Sequence, residues 1–286
     1  MRRGAESDSH RRRWGQNFLV NEGAADAMVR AFLPRPGDHV LEIGPGRGVL
    51  TRRLAGRVAR LVAVEIDPAL AASLSGTLSP SLPPGVFETI AADVLAIDPA
   101  ELLDRLGATG DRPGRVIANL PYNIATAVIL RLVTLRPRLA DLMVMVQREV
   151  AARITARPGS KAYGSLSVLC QTAAHVDSIL RLGPGSFRPR PRVDSEVIRL
   201  VLREPGDLAG RDFEGFAALV RAAFAARRKT LGNNLALLPA ATGGLGRANA
   251  SALLGSAGID PGRRGEELSA EQFQALFAVW QGIRGL

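Results

Sequence analysis

The residues that could do chemistry fall into short runs, each placed after a strand-like segment. The first is Glu42, Ile43, Gly44, Pro45, Gly46, Arg47 and Gly48, which follows His39 to Ile43 and opens a helix-like stretch. Glycines in such a loop let the backbone approach a ligand closely. A dinucleotide fingerprint spaces its glycines GxGxxG, whereas the spacing here is GxGxG with an acid two places before the first glycine. A pyrophosphate favours free amides at a helix N-terminus. Glu42 and Pro45 instead add negative charge and remove a donor, so the loop suits a cationic ligand without phosphate. About 20 residues on, Glu65 ends a second strand-like run (AVEID), where a carboxylate can accept two ribose hydroxyls. Asp93 (AADVL) ends a third, where it can take an adenine amino group. The plain alternative for each acid is a solvated strand end. Asn119, Leu120, Pro121 and Tyr122 end a fourth run, VIANLPYN.

S-adenosylmethionine is a ligand of the required kind, with a sulfonium, an amino acid end and an adenosine. Taken in order, Gly44 and Gly46, Glu65 and Asp93 resemble the class I methyltransferase fold. That resemblance implies a Rossmann-like, doubly wound α/β sheet with S-adenosylmethionine as cofactor. NLPY resembles the (D/N)PPY-type motif of methyltransferases acting on exocyclic amino groups. The amino lone pair of adenine is delocalised into the ring, and hydrogen-bond acceptors that hold the amine encourage a pyramidal nitrogen. By resemblance, the Asn119 side-chain oxygen and the Leu120 carbonyl are those acceptors, Pro121 fixes the turn and Tyr122 stacks on the target base. Most of the acceleration then comes from positioning. The plain alternative is a strand-end turn without function.

Further motifs extend along nearly the whole chain. Gly15 to Leu19 reads GQNFL, Ser186 to Ser195 reads SFRPRPRVDS, Ser160 to Val168 reads SKAYGSLSV, Ala226 to Leu235 reads ARRKTLGNNL, and Gly258 to Ser269 reads GIDPGRRGEELS. Together with NLPY they resemble the ribosomal RNA adenine dimethyltransferases, in particular those acting on the small subunit. The resemblance implies that Asn17, Leu19 and Asn119 contact the cofactor. It also implies that Phe187 covers the face of a flipped adenine opposite Tyr122. It implies as substrate two adjacent adenosines near the 3' end of 16S rRNA, in the 30S subunit or its precursor; a base is extracted most cheaply from a loop or helix end. Arg188, Arg190 and Arg192 flank the aromatic lid, and Arg227, Arg228 and Lys229 sit where a second domain could meet RNA phosphates. Their alternatives are an exposed proline-rich loop and a solvated helix end. Two other functions compete: a 23S rRNA adenine methyltransferase of the macrolide-resistance type, and a non-catalytic ribosome-assembly or nucleic-acid-binding factor. A dehydrogenase shares the fold but lacks the third glycine.

These residues need a scaffold, and the pattern supplies one. From Asp38, short β-rich runs alternate with helical ones, a doubly wound rhythm whose ligands bind at the strands' carboxyl ends. Strands are expected at 86–91, 115–118, 141–147 and 197–202, and helices at 68–78, 99–106, 124–135 and 148–156. After a linker, the periodicity is helical throughout: Phe213 to Arg228, Ala248 to Gly255 and Glu271 to Gln281. The domains are therefore a basic arm without order at 1–13, an S-adenosylmethionine-dependent methyltransferase domain at 14–206 and a small helical, RNA-contacting domain at 207–286.

Among 286 residues the formal net charge is +10, which points to a polyanionic partner, since cationic side chains displace counterions condensed on phosphates. The basic residues are arginines apart from Lys161 and Lys229, which codon composition explains as readily as guanidinium chemistry. A single cysteine, Cys170, excludes an intrachain disulfide, and its apolar neighbours make it a core thiol. Three scattered histidines offer no metal spacing,. No apolar run reaches the roughly 20 residues of a membrane span. The expectation is a cytoplasmic, monomeric protein with neither metal nor membrane partner.

Overall fold

The computed structural model describes residues 16–204, 212–238 and 245–284. The expected basic arm lies outside the described residues, as does most of the expected linker. The described residues fall into two compact units, one within 1–151 and 177–202 and the other within 152–176 and 203–286.

The first unit is built on a seven-stranded sheet. Its strands, in chain order, are β2 (His39–Ile43), β3 (Arg60–Glu65), β4 (Phe87–Ala91), β5 (Gly114–Asn119), β6 (Leu139–Gln147), β7 (Ala174–Leu182) and β9 (Ser195–Leu202), and their spatial order is β4-β3-β2-β5-β6-β9-β7. The first five are parallel and β9 runs antiparallel to β6. Parallel strands are covered on both faces, which is why β2, β3 and β6 are near-continuous apolar runs. A separate two-stranded ribbon pairs β1 (Phe18–Leu19) with β8 (Phe187–Arg188).

Helices α1 (Glu22–Phe32), α2 (Thr51–Leu54), α3 (Pro68–Leu78), α4 (Pro99–Leu106), α5 (Ala125–Leu132) and α6 (Arg148–Ile154) follow or precede these strands. Their starts are written in the sequence. Asn21, Asp67 and Asp98 each cap a helix by accepting backbone amides of the first turn, and Pro68 and Pro99 occupy the first helical position, where a missing N–H costs nothing. The helix expected after the glycine loop is short. Residues 46–50 form turns before α2 begins, because Gly44, Gly46 and Gly48 all take positive φ.

Chain order and spatial order together place a switch point between β2 and β5: the chain leaves β2 towards β3 and β4, then returns to its other side. Pairing of Ile43 with Val64 and Ala118, and of Glu65 with Ala91, brings the carboxyl ends of four strands to one level. The glycine loop, Glu65, Asp93 and Asn119 thus meet at one edge.

The second unit packs α7 (Ser165–Ala173) with α8 (Phe213–Ala223), α9 (Leu231–Leu235), α10 (Gly246–Ser256) and α11 (Ala270–Arg284). Phe216, Phe273, Phe277 and Trp280 are fully buried, and Phe216 meets Phe277 edge-on at 5.4 Å. Residues 152–176 belong to this unit, and a boundary drawn at 207 leaves them out. Tyr163 explains part of this: its hydroxyl donates to the Leu268 carbonyl at 2.8 Å and its ring meets Phe224. The helix expected over 213–228 ends at Ala223. Buried Asn234 donates to the carbonyls of Ala223 and Ala226, which stabilises a turn where helical periodicity alone would continue the helix. Neither α7 nor β7 was expected, since β7 is mostly exposed and shows no clean apolar alternation.

Candidate active site

A cavity of about 350 Å³ opens at the switch point, within the range of small-molecule sites,. The glycine loop forms one wall. A Cβ on Gly46 would lie 2.8 Å from the Phe18 ring, and one on Gly44 would lie 3.3 Å from the Asn119 carbonyl, so the loop packs too closely on its neighbours at these two positions for a side chain. Gln16, Asn17 and Phe18 cross the same wall, and Ile66, Ala92, Asp93 and Val94 close the end beyond β3 and β4.

Glu65 is 2% exposed and held by three donors. Oε2 accepts from the Gly46 amide at 2.9 Å, and Oε1 accepts from the Asp67 amide at 3.0 Å and from Gln16 Nε2 at 3.2 Å. Burial raises its pKa, while the Asp67 and Gly46 amides favour the charged form and oppose that rise. Asp93 is exposed to the cavity just past β4, and its Oδ1 accepts from the Leu95 amide at 2.9 Å.

Asn119 ends β5. Its Nδ2 donates to the Asn17 carbonyl at 3.0 Å, which fixes the amide and leaves Oδ1 as its acceptor end. Leu120 is buried, its amide donating to the Met145 carbonyl at 3.2 Å. Pro121 closes the turn by accepting from the amides of Ile124 and Ala125. The Tyr122 hydroxyl hydrogen-bonds to Ser195 Oγ at 2.7 Å. Burial raises the phenol's pKa, the Ser195 contact opposing. A phenol so held presents its ring and does not supply a base.

Three expectations change. Glu42 does not line the cavity and does not supply the site's negative charge. It is 1% exposed, and burial pushes its carboxyl up to about 8, so at neutral pH it is mostly protonated. The acidic character comes from Glu65 and Asp93. Leu19 is buried in the apolar core and absent from the cavity wall, which Gln16, Asn17 and Phe18 provide. Phe187, opposite Leu19 in the ribbon, is likewise fully buried, in a core with Met28, Met145 and Val197. It does not line the cavity, so the sandwich of a base between Tyr122 and Phe187 is not assembled in this structure. Alternation along the β1–β8 ribbon explains both: the side chains of a directly opposed pair point to the same face, and here that face is the core.

Arg188, Arg190 and Arg192 are exposed, as are Arg227, Arg228 and Lys229. Arg227 is already engaged. It donates to Glu266 Oε2 at 2.9 Å and to the Lys161 carbonyl at 2.8 Å. Its motif therefore has a packing role, reinforced where the Leu231 and Gly232 amides donate to the carbonyls of Arg263 and Pro261. Cys170 is fully buried, and burial pushes its thiol up to about 12. Among the described residues, no group of three or more His, Cys, Asp or Glu could hold a metal ion, and no helix is long and apolar enough to cross a membrane.

Sequence reasoning missed Gln16 and Ser195. Both lie inside motifs it used, but each acts through a partner, Glu65 or Tyr122, that is distant in sequence. Only folding shows the pairing.

A parallel sheet ordered β4-β3-β2-β5-β6, an antiparallel β9 and an acid-lined cavity at the switch point define a class I methyltransferase. Residues 7–281 match the family described as ribosomal RNA adenine dimethylase, and the chain belongs to that family. It is 42% identical to the ribosomal RNA small subunit methyltransferase A of Moorella thermoacetica over 274 residues, 93% of this chain and 91% of that protein. Identity to the protein of the same name from Geobacter metallireducens is also 42%, covering 96% of this chain and 97% of that one. Among solved structures, a dimethyladenosine transferase from Plasmodium falciparum shares the fold with TM-score 0.74 and 22% identity, covering 94% of this chain and 98% of its own. The 23S rRNA methyltransferase ErmE matches with TM-score 0.66 and 28% identity, over 92% and 99%.

Proposed function

We propose that this chain transfers methyl groups from S-adenosylmethionine to the exocyclic amino groups of two adjacent adenosines near the 3' end of 16S rRNA, within the small ribosomal subunit or its precursor, in the cytoplasm. The observation that carries the cofactor reading is electrostatic. In a chain of net charge +10, the described residues that line the cavity include Glu65 and Asp93 and not one Lys, Arg or His. A pyrophosphate would be repelled there, whereas a sulfonium without phosphate suits it.

The residues present fit that ligand. Glu65 would hold the ribose hydroxyls, the weaker Gln16 contact yielding to them, and Asp93 would hold the adenine amine. Gly44 and Gly46 would admit the amino acid end, with Asn17 beside it. When bound, S-adenosylmethionine supplies an electrophilic methyl and a thioether leaving group. The chain itself positions the acceptor. Asn119 Oδ1 and the Leu120 carbonyl accept the amino hydrogens, aiming the nitrogen lone pair at the cavity, and Tyr122 stacks on the base. Each transfer forms the N–C bond as the S–C bond breaks and leaves the nitrogen cationic until it sheds a proton to solvent. The monomethylated amine then still carries one hydrogen for these acceptors, so a second transfer at the same nitrogen follows from the same geometry.

RNA is held outside the cavity. Exposed Arg188, Arg190, Arg192, Arg228 and Lys229 are available to phosphates, with Arg227 contributing only by leaving Glu266. The 42% relatives bear a small-subunit name, which favours 16S over 23S rRNA. The test is transfer of labelled methyl to separated, undermethylated 30S and 50S particles, with nuclease mapping of the product. Dimethyladenosine near the 16S 3' end is expected. Label on 50S would move the chain to the resistance-type activity, and no label on either would favour a binding factor.

A further inference from the structure

The loop that carries Asp93 is held by a residue outside the cavity. Three backbone amides of residues 92–97 are engaged on β3 or within the loop: Ala92 donates to the Glu65 carbonyl at 3.0 Å, Leu95 to Asp93 Oδ1 at 2.9 Å and Ala96 to the Asp93 carbonyl at 2.9 Å. The carbonyls turn the other way, towards α5. There Arg131 Nη1 donates to the Val94 carbonyl at 3.1 Å and to the Leu95 carbonyl at 2.5 Å, while Nη2 donates to the Ile97 carbonyl at 2.6 Å. One guanidinium satisfies three carbonyls that no secondary structure pairs. Its stem runs through an apolar setting that includes Leu102, Val128 and Leu135, where unpaired carbonyls would be costly.

We infer that Arg131 is a positioning residue for the adenine end of the cofactor site, setting the conformation in which Asp93 and Val94 face the cavity. This rests on the cofactor reading above. A guanidinium is suited to the task because its planar fork offers five donors in fixed directions; a lysine ammonium is a compact point charge and cannot span the same three acceptors. Helix α5 begins three residues after Tyr122, so the clamp also ties this loop to the element that follows the Asn119–Tyr122 turn. Arg131 does not line the cavity, whereas Asp93 and Val94 do, so its effect passes through them.

The test is calorimetric binding of two ligands to the full chain: S-adenosylhomocysteine, and its deaminated counterpart S-inosylhomocysteine, which lacks the amino group that Asp93 accepts. In the unaltered chain the adenine ligand is expected to bind about tenfold more tightly, the worth of one charge-assisted hydrogen bond. Arg131→Met and Arg131→Lys should each reduce that preference to about twofold or less, with S-inosylhomocysteine affinity changed by no more than about threefold. Thermal unfolding of both variants identifies which is folded, and Arg131→Lys keeps the charge should Arg131→Met fail to fold. An intact preference in a folded variant, or equal weakening of both ligands, overturns the role of Arg131. Absence of any preference in the unaltered chain, or its survival in Asp93→Ala, overturns instead the assignment of Asp93 on which the inference stands.

Discussion

Glu42→Gln tests how the glycine loop is built. The Glu42 carboxyl sits on β2 just ahead of Gly44, is 1% exposed, and its Oε2 has no hydrogen-bond partner among the described residues. Burial pushes its pKa from 4.5 up to about 8, with the nearby Glu65 adding to the rise and Thr51 opposing it. Below about pH 4.5 the group is neutral in both folded and unfolded chains and has no effect on stability. As pH rises, the unfolded chain releases a proton that the folded chain retains, so stability falls, and the loss is complete once the folded group ionises above about pH 8,. At about 1.4 kcal/mol for each pH unit, the fall between pH 5 and pH 9 is roughly 4 kcal/mol.

Glutamine has the same shape and does not titrate. It carries a fixed cost of about 1–3 kcal/mol if its amide goes unsatisfied, but that cost is independent of pH. The stability of Glu42→Gln relative to the unaltered chain should therefore climb by roughly 4 kcal/mol across this interval, whatever its value at pH 5. Urea unfolding at a series of pH values measures the difference directly. Because Glu65 and every other titrating group are common to both chains, their contributions largely cancel. Two stability curves that stay parallel from pH 5 to pH 9 would refute the buried, proton-retaining state of Glu42.

Asn119→Ala should lower methyl transfer by about 100-fold or more while S-adenosylhomocysteine affinity, read by calorimetry, stays within about threefold; equal losses in both would remove Asn119 from the amine-holding role. Ser195→Ala frees the Tyr122 hydroxyl and should raise KM for the RNA more than it lowers kcat, whereas an unchanged KM would show that the ring needs no such anchor. Replacing both Arg190 and Arg192 by Gln should weaken RNA binding and flatten its salt dependence by about 0.7 to 0.9 in log–log slope for each phosphate no longer neutralised; the same slope in filter-binding assays would place the RNA elsewhere. Cys170 should resist thiol reagents in the folded chain and react only on unfolding, and modification at the folded rate of an exposed thiol would contradict its burial.

How much of this is legible in the sequence depends on the range of the interaction. Helix starts at Asp67 and Asp98 are local, each decided by a side chain and a proline within one turn, and α4 forms over the very residues expected of it. Strands β2 to β6 announce themselves through short apolar runs, and the order glycine loop, Glu65, Asp93, NLPY implies a common edge because parallel strands joined by helices leave their carboxyl ends together. Those features need only a strand's period, a cap and a turn, all written within a few residues.

Tertiary structure decided the rest. Whether an acid faces the ligand depends on which side of its strand is covered: Glu42 and Glu65 look alike in sequence, yet one is buried behind the loop and the other lines the cavity. Leu19 and Phe187 belong to the site by motif, but their direct pairing in the β1–β8 ribbon turns both into the core. Arg227 reads as a free cation until Glu266, 39 residues away, is folded against it. Gln16, Ser195 and Arg131 act through partners 49, 73 and about 35 residues distant, and no local pattern encodes which carbonyl, carboxylate or hydroxyl will lie opposite. Residue types and their local spacing specify which chemistry could occur and on what scaffold; the packing of distant segments settles which side chains are present to perform it.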